Sequence, residues 1–302
     1  MSHQADSVRS IFYALAANAA IAVAKLGAAL YTGSTAMLAE AIHSFADCGN
    51  QGLLLLGLKH AKRPPSPDYP LGHGRAIYFW SFIVALILFS MGGLFSIYEG
   101  AHKLGSREPL KAPLLAIAIL AFSIVAEAFS LYGCLQEINK VRGGRGLLRW
   151  FRESRQSELI VVAGEDIAAL LGLSFALLAV LLAVLTGNPM FDALGSIAVG
   201  ALLILVAIGI GVEIKGLLIG QSAEPAEREA IRQFITSYPR VERVLNLITL
   251  QLGQEIMVAV KAKMRAAPDA ATLIDGINET ERALHAAFPT VRWVFFEPDV
   301  AD

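Results

Sequence analysis

Long apolar stretches recur along the first two thirds of the chain, each close to the length that a bilayer requires. An α-helix rises 1.5 Å per residue, so about 20 apolar residues cross a hydrocarbon core of roughly 30 Å. Six segments meet this condition: residues 10–30, 34–58, 77–100, 113–136, 158–186 and 190–215. They predict an all-α bundle of six transmembrane helices within residues 1–220, referred to below as the first to sixth spans.

The pattern changes after about residue 221, where mixed and charged sequence runs to Asp302. Periodicity there predicts a soluble α+β domain in residues 221–302. Two helices on one face of a three-stranded sheet would leave its other face or an edge to a partner. The predicted elements are a helix at Pro225–Tyr238, strands at Val241–Leu252 and Ile256–Met264 joined by a turn at Gly253-Gln254, a helix at Ala271–Phe288 and a strand at Val291–Glu297.

Composition supports a membrane protein, because 55% hydrophobic and 17% charged residues are unusual for a soluble chain of 302 residues. Lysine and arginine concentrate after the second and fourth spans, whereas the loops after the first and fifth spans carry no charge. The positive-inside rule therefore predicts cytoplasmic N- and C-termini. The basic loop residues are Lys59, Lys62, Arg63, Arg75, Lys140, Arg142, Arg145, Arg149, Arg152 and Arg155.

The N-terminal sequence and the cysteines indicate the compartment. Residues 1–10 lack the regions of a cleaved signal, and Asp6 argues against a mitochondrial presequence. The two cysteines, Cys48 and Cys134, fall within predicted spans and offer no disulfide framework. The simplest expectation is a multi-pass protein of the inner (plasma) membrane.

The second span carries a polar stripe formed by Glu40, His43, Asp47 and Asn50. A charged side chain at the middle of a bilayer costs about 3 kcal/mol, so several in one apolar segment indicate function. Spacings of three and four residues place them on one helix face. Single polar residues on the first span, Asn18 and Lys25, are interpreted instead as helix contacts or snorkelling side chains.

Helix geometry brings further ionisable residues to the depth of this stripe. His43 and Asp47 lie about 14 and 20 Å below an outer edge placed at Ser34. Asp166 lies about 12 Å above the inner edge, and Glu127 about 21 Å below the outer one. His43, Asp47 and Asp166 can therefore hold a metal ion, with Glu165 or a water as fourth ligand. The imidazole favours Zn²⁺ or another transition metal over Ca²⁺ or Mg²⁺, with Mn²⁺ and Fe²⁺ still open.

Other interpretations of these residues stay open. The polar groups could pair only with one another and hold the bundle together. Glu127, Glu40 and Asn50 could relay protons or support the ligands. An intramembrane metalloenzyme would use the metal to activate water, with Glu165 or Glu127 as base, although no HExxH pair is present. A metal sensor or scaffold would bind without transporting.

Three segments resemble the cation diffusion facilitator family. The sequence from Gly33 to Asp47, with Asn50, is similar to the second helix of that family. The motif Tyr69-Pro-Leu-Gly-His-Gly-Arg75 is similar to the one before its third helix, and Asp192-Ala-Leu-Gly-Ser196 to the start of its sixth.

This resemblance implies a homodimer, formed through the membrane domain and a metallochaperone-like, ferredoxin-like cytoplasmic domain. It implies export of Zn²⁺, or alternatively of Mn²⁺, Fe²⁺ or Co²⁺, in exchange for H⁺ by alternating access. His43 is the natural proton acceptor, since a ligand must be deprotonated to hold metal. The metal is then a transported substrate in a protein of the lipid bilayer that is not an enzyme, needs no cofactor and has no nucleic-acid partner.

The chain departs from the family pattern at three places. Val162 stands where the fifth span usually carries a histidine or aspartate, and Glu165-Asp166 resembles a branch in which Glu-Asp replaces that pattern. The fourth ligand is then Glu165, a water or another helix-borne group. The Gly-His-Gly loop continues with Arg75-Ala76-Ile77 where the family usually has Lys-Ala-Glu, which removes a carboxylate. Asp68 and His73 can still bind metal weakly in this loop, although its prolines alone would produce the same turn. The metal-binding histidines of the family's cytoplasmic domain fall on other residue types, leaving Glu297, so that domain is expected to serve dimerisation. Those three positions are Leu245, Lys261 and Phe295.

Overall fold

The computed structural model describes residues 18–105 and 112–301. They divide into two compact units, each described separately here. The first contains the chain up to Leu56 together with Trp80–Arg145 and Glu158–Glu213. The second contains Gly57–Phe79, Gly146–Ser157 and the chain from Ile214 onward. Residues 10–17 of the predicted first span lie outside the described part, and residues 18–32 of it form helix α1.

Long helices form the first unit. The predicted third span, 77–100, corresponds to a continuous helical run in which the seven residues Leu88–Leu94 have π-helical geometry. The helices after α1 in chain order are α2 (Thr35–Ala61), α3 (Ala76–Ile87), α4 (Phe95–Lys103), α5 (Pro113–Val141), α6 (Leu147–Glu153), α7 (Ser157–Thr186) and α8 (Met190–Ile219), of which the short α6 belongs to the second unit.

Four helical runs among the described residues are long and apolar enough to cross a membrane. They are Ala76–Lys103, Pro113–Val141, Ser157–Thr186 and Met190–Ile219. Helix α2 is long enough at 27 residues, but its polar stripe interrupts the apolar sequence. The described residues therefore form a helical transmembrane region with four apolar spans, and the long helix α2 carries the polar stripe predicted for the second span.

The third and sixth spans pack with their backbones in close approach. A Cβ atom at Gly200 of α8 would lie 2.6 Å from the Gly93 carbonyl oxygen, so a larger residue does not fit. Beside this contact, the Ser196 hydroxyl donates to the Ser96 carbonyl at 2.8 Å. Small residues at such crossings are a common means of packing helices in membranes.

Asp192 at the start of α8 fixes the start of α2. Its Oδ2 accepts hydrogen bonds from the Thr35 amide at 2.7 Å and the Thr35 hydroxyl at 2.8 Å. Its Oδ1 accepts from the Ser34 hydroxyl at 2.5 Å. Asp192 thus accepts hydrogen bonds at the N-terminus of a neighbouring helix, which is the role of an N-cap residue. The polar stripe on α2 is thereby held in register with α8.

The second unit contains the predicted α+β fold. It consists of α9 (Pro225–Ser237), β1 (Val241–Leu252), β2 (Glu255–Met264), α10 (Ala270–Ala287) and β3 (Val291–Pro298). The sheet order is β1-β2-β3, with β1 antiparallel and β3 parallel to β2. Residues such as Ile231 of α9, Val258 of β2 and Leu284 of α10 form its buried core. This confirms a small α+β domain after a helical transmembrane region.

The loop before α3 belongs to the same unit and contacts the β1–β2 turn. The Tyr78 hydroxyl accepts a hydrogen bond from the Gly253 amide at 2.9 Å and lies 3.3 Å from the Gly253 carbonyl oxygen. A Cβ at Gly74 would overlap the Leu252 carbonyl, so this position of the Gly-His-Gly motif must be glycine. The loop motif thus serves a close backbone contact in this unit.

Candidate metal site

A small polar cavity lies inside the first unit, between α1, α2, α5 and α7. Its volume of about 30 Å³ suits a water molecule or a dehydrated cation. Four carboxylate residues border it: Asp47, Glu127, Glu165 and Asp166. The other residues that line it are Asn18, Ile21, Ser44, Gln51, Ser130, Val162 and Ala169.

Helix α2 contributes Asp47 to the cavity and places His43 behind it. His43 is fully buried, and its Nε2 lies 3.5 Å from Asp47 Oδ2. Neither ring nitrogen of His43 has a hydrogen-bond partner. His43 does not line the cavity. It contacts the site only indirectly, through Asp47.

Helix α7 supplies two consecutive carboxylates, each held by a polar neighbour. The Asn50 amide donates to Glu165 Oε1 at 2.5 Å. The Ser130 hydroxyl of α5 donates to Asp166 Oδ1 at 3.3 Å. Val162, one turn before Asp166, gives the cavity an apolar wall where the resemblance would place a ligand.

Within the described part of the chain, two carboxylate oxygens at this site are buried without a hydrogen-bond partner, Asp47 Oδ1 and Asp166 Oδ2. Such acceptors are costly in a protein interior, where nearly all buried polar atoms are satisfied. A divalent cation in the cavity would satisfy both. The donor set is therefore chemically suited to a metal substrate.

The carboxylates do not form a closed coordination shell as they stand. No three histidine, cysteine, aspartate or glutamate side chains in residues 18–105 and 112–301 come close enough together to hold one ion. Ion binding therefore requires the side chains or helices around the cavity to move inward.

Glu127 and Glu40, both predicted as possible proton relays or supports of the ligands, differ in their position relative to the cavity. Glu127 of α5 borders the cavity. Glu40 of α2 does not, and its Oε2 lies 3.8 Å from the ammonium of Lys25. Of the two interpretations of Lys25, the structure supports a helix contact over snorkelling, because this side chain is completely buried and contacts Ser44 and Glu40 of α2. The signal that could have found it is the insertion cost of a lysine within an apolar span, the same signal that identified α2.

The remaining predicted metal residues lie in the second unit. Asp68 is exposed, and the His73 ring packs against Tyr69 with centroids 4.4 Å apart. In the sheet, Lys261 Nζ lies 2.9 Å from Asp299 and 3.9 Å from Glu297. The hydrogen bond from Lys261 lowers the pKa of Asp299. Glu297 therefore faces a cation of the chain itself.

Comparison with known proteins gives a family match and several relatives. The profile of the cation efflux transmembrane domain matches residues 11–219. The mitochondrial proton-coupled zinc antiporter SLC30A9 of Xenopus laevis is 37% identical over 76% of this chain and 41% of its own length. Metal tolerance protein C4 of Arabidopsis thaliana is 30% identical over 76% and 50% of the two chains. The cation-efflux pump FieF of Cronobacter sakazakii is 23% identical over 88% and 84%.

This match shows that the chain contains a cation efflux transmembrane domain. The chain belongs to the cation diffusion facilitator family, which confirms the family predicted from the motifs. The chain spans about two fifths of the length of the SLC30A9 relatives and half that of the plant protein.

The Asn50 contact generates a test of the cavity. Asn50→Leu removes the amide that holds Glu165 while keeping similar volume, and we expect zinc affinity of the detergent-purified protein to fall by about 10–100-fold. Titration calorimetry with zinc chloride measures this. Cys48→Ala, on the same helix but outside the cavity lining, is the matched control and should bind as the wild type does. Equal affinities for wild type and Asn50→Leu would show that Glu165 does not hold the ion.

Proposed function

We propose that this protein exports a divalent transition-metal cation, Zn²⁺ foremost, in exchange for protons. The observation that carries the proposal is the intramembrane cavity bordered by Asp47, Glu127, Glu165 and Asp166, with two buried carboxylate oxygens lacking a partner. The names of the SLC30A9 relatives, which state a proton-coupled zinc antiporter, support zinc and proton coupling.

The proposed ligands are His43, Asp47, Glu165 and Asp166. Carboxylate oxygen and imidazole nitrogen are both ordinary zinc ligands. His43 stands 3.5 Å behind Asp47, from where it either joins the ion or fixes the orientation of that carboxylate, as partners of metal ligands commonly do. Asn50 has the same positioning role for Glu165.

Proton coupling follows from competition for the same atoms. A metal ligand must be deprotonated, so a proton that binds a cavity carboxylate or His43 weakens the hold on the ion. Proton entry from the far side would therefore release the ion, and proton loss to the cytoplasm would restore the site. Glu127 borders the cavity but is not one of the proposed ligands, so it is the proposed proton relay.

Manganese is the second candidate substrate. The described lining of the cavity is rich in carboxylate, amide and hydroxyl oxygen and contains no cysteine, and His43 stands behind it. Oxygen ligands suit Mn²⁺, whereas thiolate would select for zinc or copper. Competition between the two ions in one transport assay separates them.

The proposed location is the inner (plasma) membrane, with both termini in the cytoplasm. The basic loop segments Gly57–Phe79 and Gly146–Ser157 form one compact unit with the C-terminal domain. The two loops that the positive-inside rule assigns to the cytoplasm therefore share a side with that domain. In this orientation, metal export is an outward flow that is exchanged for an inward flow of protons.

We also propose a homodimer in which the open face of the sheet takes part. Ile248, Ala259 and Phe295 form one row across the three strands, and Ile248 and Phe295 are 57% and 56% exposed. The row faces away from the buried core, whose β2 members are the alternate residues Val258 and Val260. An apolar row on an otherwise complete domain is typical of a protein interface.

Substitution of two sites tests the transport proposal. In proteoliposomes with a pH gradient, Asp47→Asn and Asp166→Asn should each lower zinc uptake by about tenfold or more, because each removes a charged ligand. Cys48→Ala should transport as the wild type does. Manganese added with zinc reports selectivity. Wild-type rates in Asp166→Asn would refute the site, and binding without uptake in the wild type would favour a sensor.

The dimer surface has its own test. Ile248→Asp with Phe295→Asp should shift the detergent-solubilised protein from dimer to monomer, since charged groups oppose burial of the row. Light scattering after size exclusion measures the mass. Ile274→Asp is the matched control, because Ile274 is 56% exposed on α10 instead. Dissociation by the α10 variant alone would place the interface on the helices.

A further inference from the structure

Lys25 is the most unusual ionisable residue outside the proposed ligand set. It lies on α1 and is completely buried within the first unit. Its ammonium donates a hydrogen bond to the Ser44 hydroxyl at 2.8 Å and lies 3.8 Å from Glu40 Oε2. An ammonium in a membrane interior is costly, and such residues are usually functional.

The Lys25 contacts lead directly to the cavity. Ser44, which accepts the hydrogen bond, is one of the residues that line it, together with Asp47. The ammonium is thus separated from the cavity by a single hydroxyl. Its charge is close enough to act on Asp47 and Glu127, two of the four cavity carboxylates.

Glu40 is held in place for this contact. Its Oε1 lies so close to Gly172 of α7 that a Cβ atom there would be 2.6 Å away. Neither Glu40 oxygen has a hydrogen-bond partner among the described residues. The ion pair with Lys25 is therefore the main polar contact of Glu40. The pair therefore joins α1, α2 and α7, three of the four helices that enclose the cavity.

We propose that Lys25 is an affinity- and specificity-determining residue of the metal site. Its fixed positive charge offsets part of the negative potential of the cavity carboxylates. The offset weakens cation binding enough for the ion to leave in each transport cycle, and it disfavours occupation by more than one cation. This proposal rests on the proposed transport function, and Lys25 acts through electrostatic potential without touching the ion.

Lys25→Met tests this by removing the charge while keeping the stem. A unit charge about 10 Å from a divalent ion changes affinity about fourfold even at the dielectric constant of water, and more in a protein. We expect the Kd for zinc by calorimetry and the KM for uptake to fall at least about fourfold, with a lower maximal rate. A scaffolding role alone would leave Kd unchanged or raise it, and either result would overturn the proposal.

Charge-matched variants guard against misfolding. Glu40→Gln should raise the Kd, whereas Lys25→Met with Glu40→Gln should bring it back towards the wild-type value. The comparison between Glu40→Gln and this double variant measures the effect of Lys25 without leaving a buried carboxylate unpaired. Lys25→Arg, which keeps the charge, should retain the wild-type Kd and maximal rate.

Different results would overturn the transport proposal and the Lys25 proposal. If the wild type binds zinc but does not move it into vesicles, the transport proposal is wrong, and the calorimetric Kd still decides whether Lys25 sets the affinity. If the wild type transports zinc and the double-variant comparison shows no tightening on loss of Lys25, only the Lys25 proposal is overturned.

Discussion

The cost of placing ionisable side chains in a membrane interior is the constraint on which the rest of the first unit depends. Each such group must find a partner or a function. Most of them do so across helices: Asn50 holds Glu165, Ser130 holds Asp166 and Lys25 holds Glu40. Of the oxygens without a hydrogen-bond partner in the described residues, Asp47 Oδ1 and Asp166 Oδ2 border one cavity, whereas Glu40 is ion-paired with Lys25. We propose that the substrate binds where these two oxygens lack a partner.

The rest of the structure positions α2 and α7 around that cavity. Asp192 satisfies the start of α2 from the neighbouring α8, which ties the depth of the polar stripe to the start of α8. Gly172 makes room on α7 for Glu40, and Gly200 allows the third and sixth spans to pack closely. The described carboxylates are not close enough together to coordinate one ion. In the proposed transport cycle, the side chains and helices that line the cavity would therefore move towards the ion.

Much of this could be predicted from the sequence, because hydrophobic periodicity reports secondary structure and insertion cost reports buried polar groups. The elements of the C-terminal domain and the polar face of α2 follow from these two signals. The position of His43 behind Asp47 does not, since it depends on how α2 is rotated against α7. The two interpretations of Lys25 could not be separated, because a single lysine on an apolar helix has the same sequence pattern whether it snorkels or pairs. The π-helical segment left no signal, as Leu88–Leu94 keeps the apolar composition of its flanks.

The central claim is that intramembrane carboxylates hold the transported ion. X-ray absorption at the zinc edge of the zinc-loaded protein tests it most directly. The account predicts a shell of oxygen and nitrogen at about 2.0–2.2 Å with at most one imidazole and no sulfur at about 2.3 Å. Loss of this signal in Asp47→Asn would link the shell to the cavity. A shell with two or more imidazoles, or one that contains sulfur, would contradict the claim.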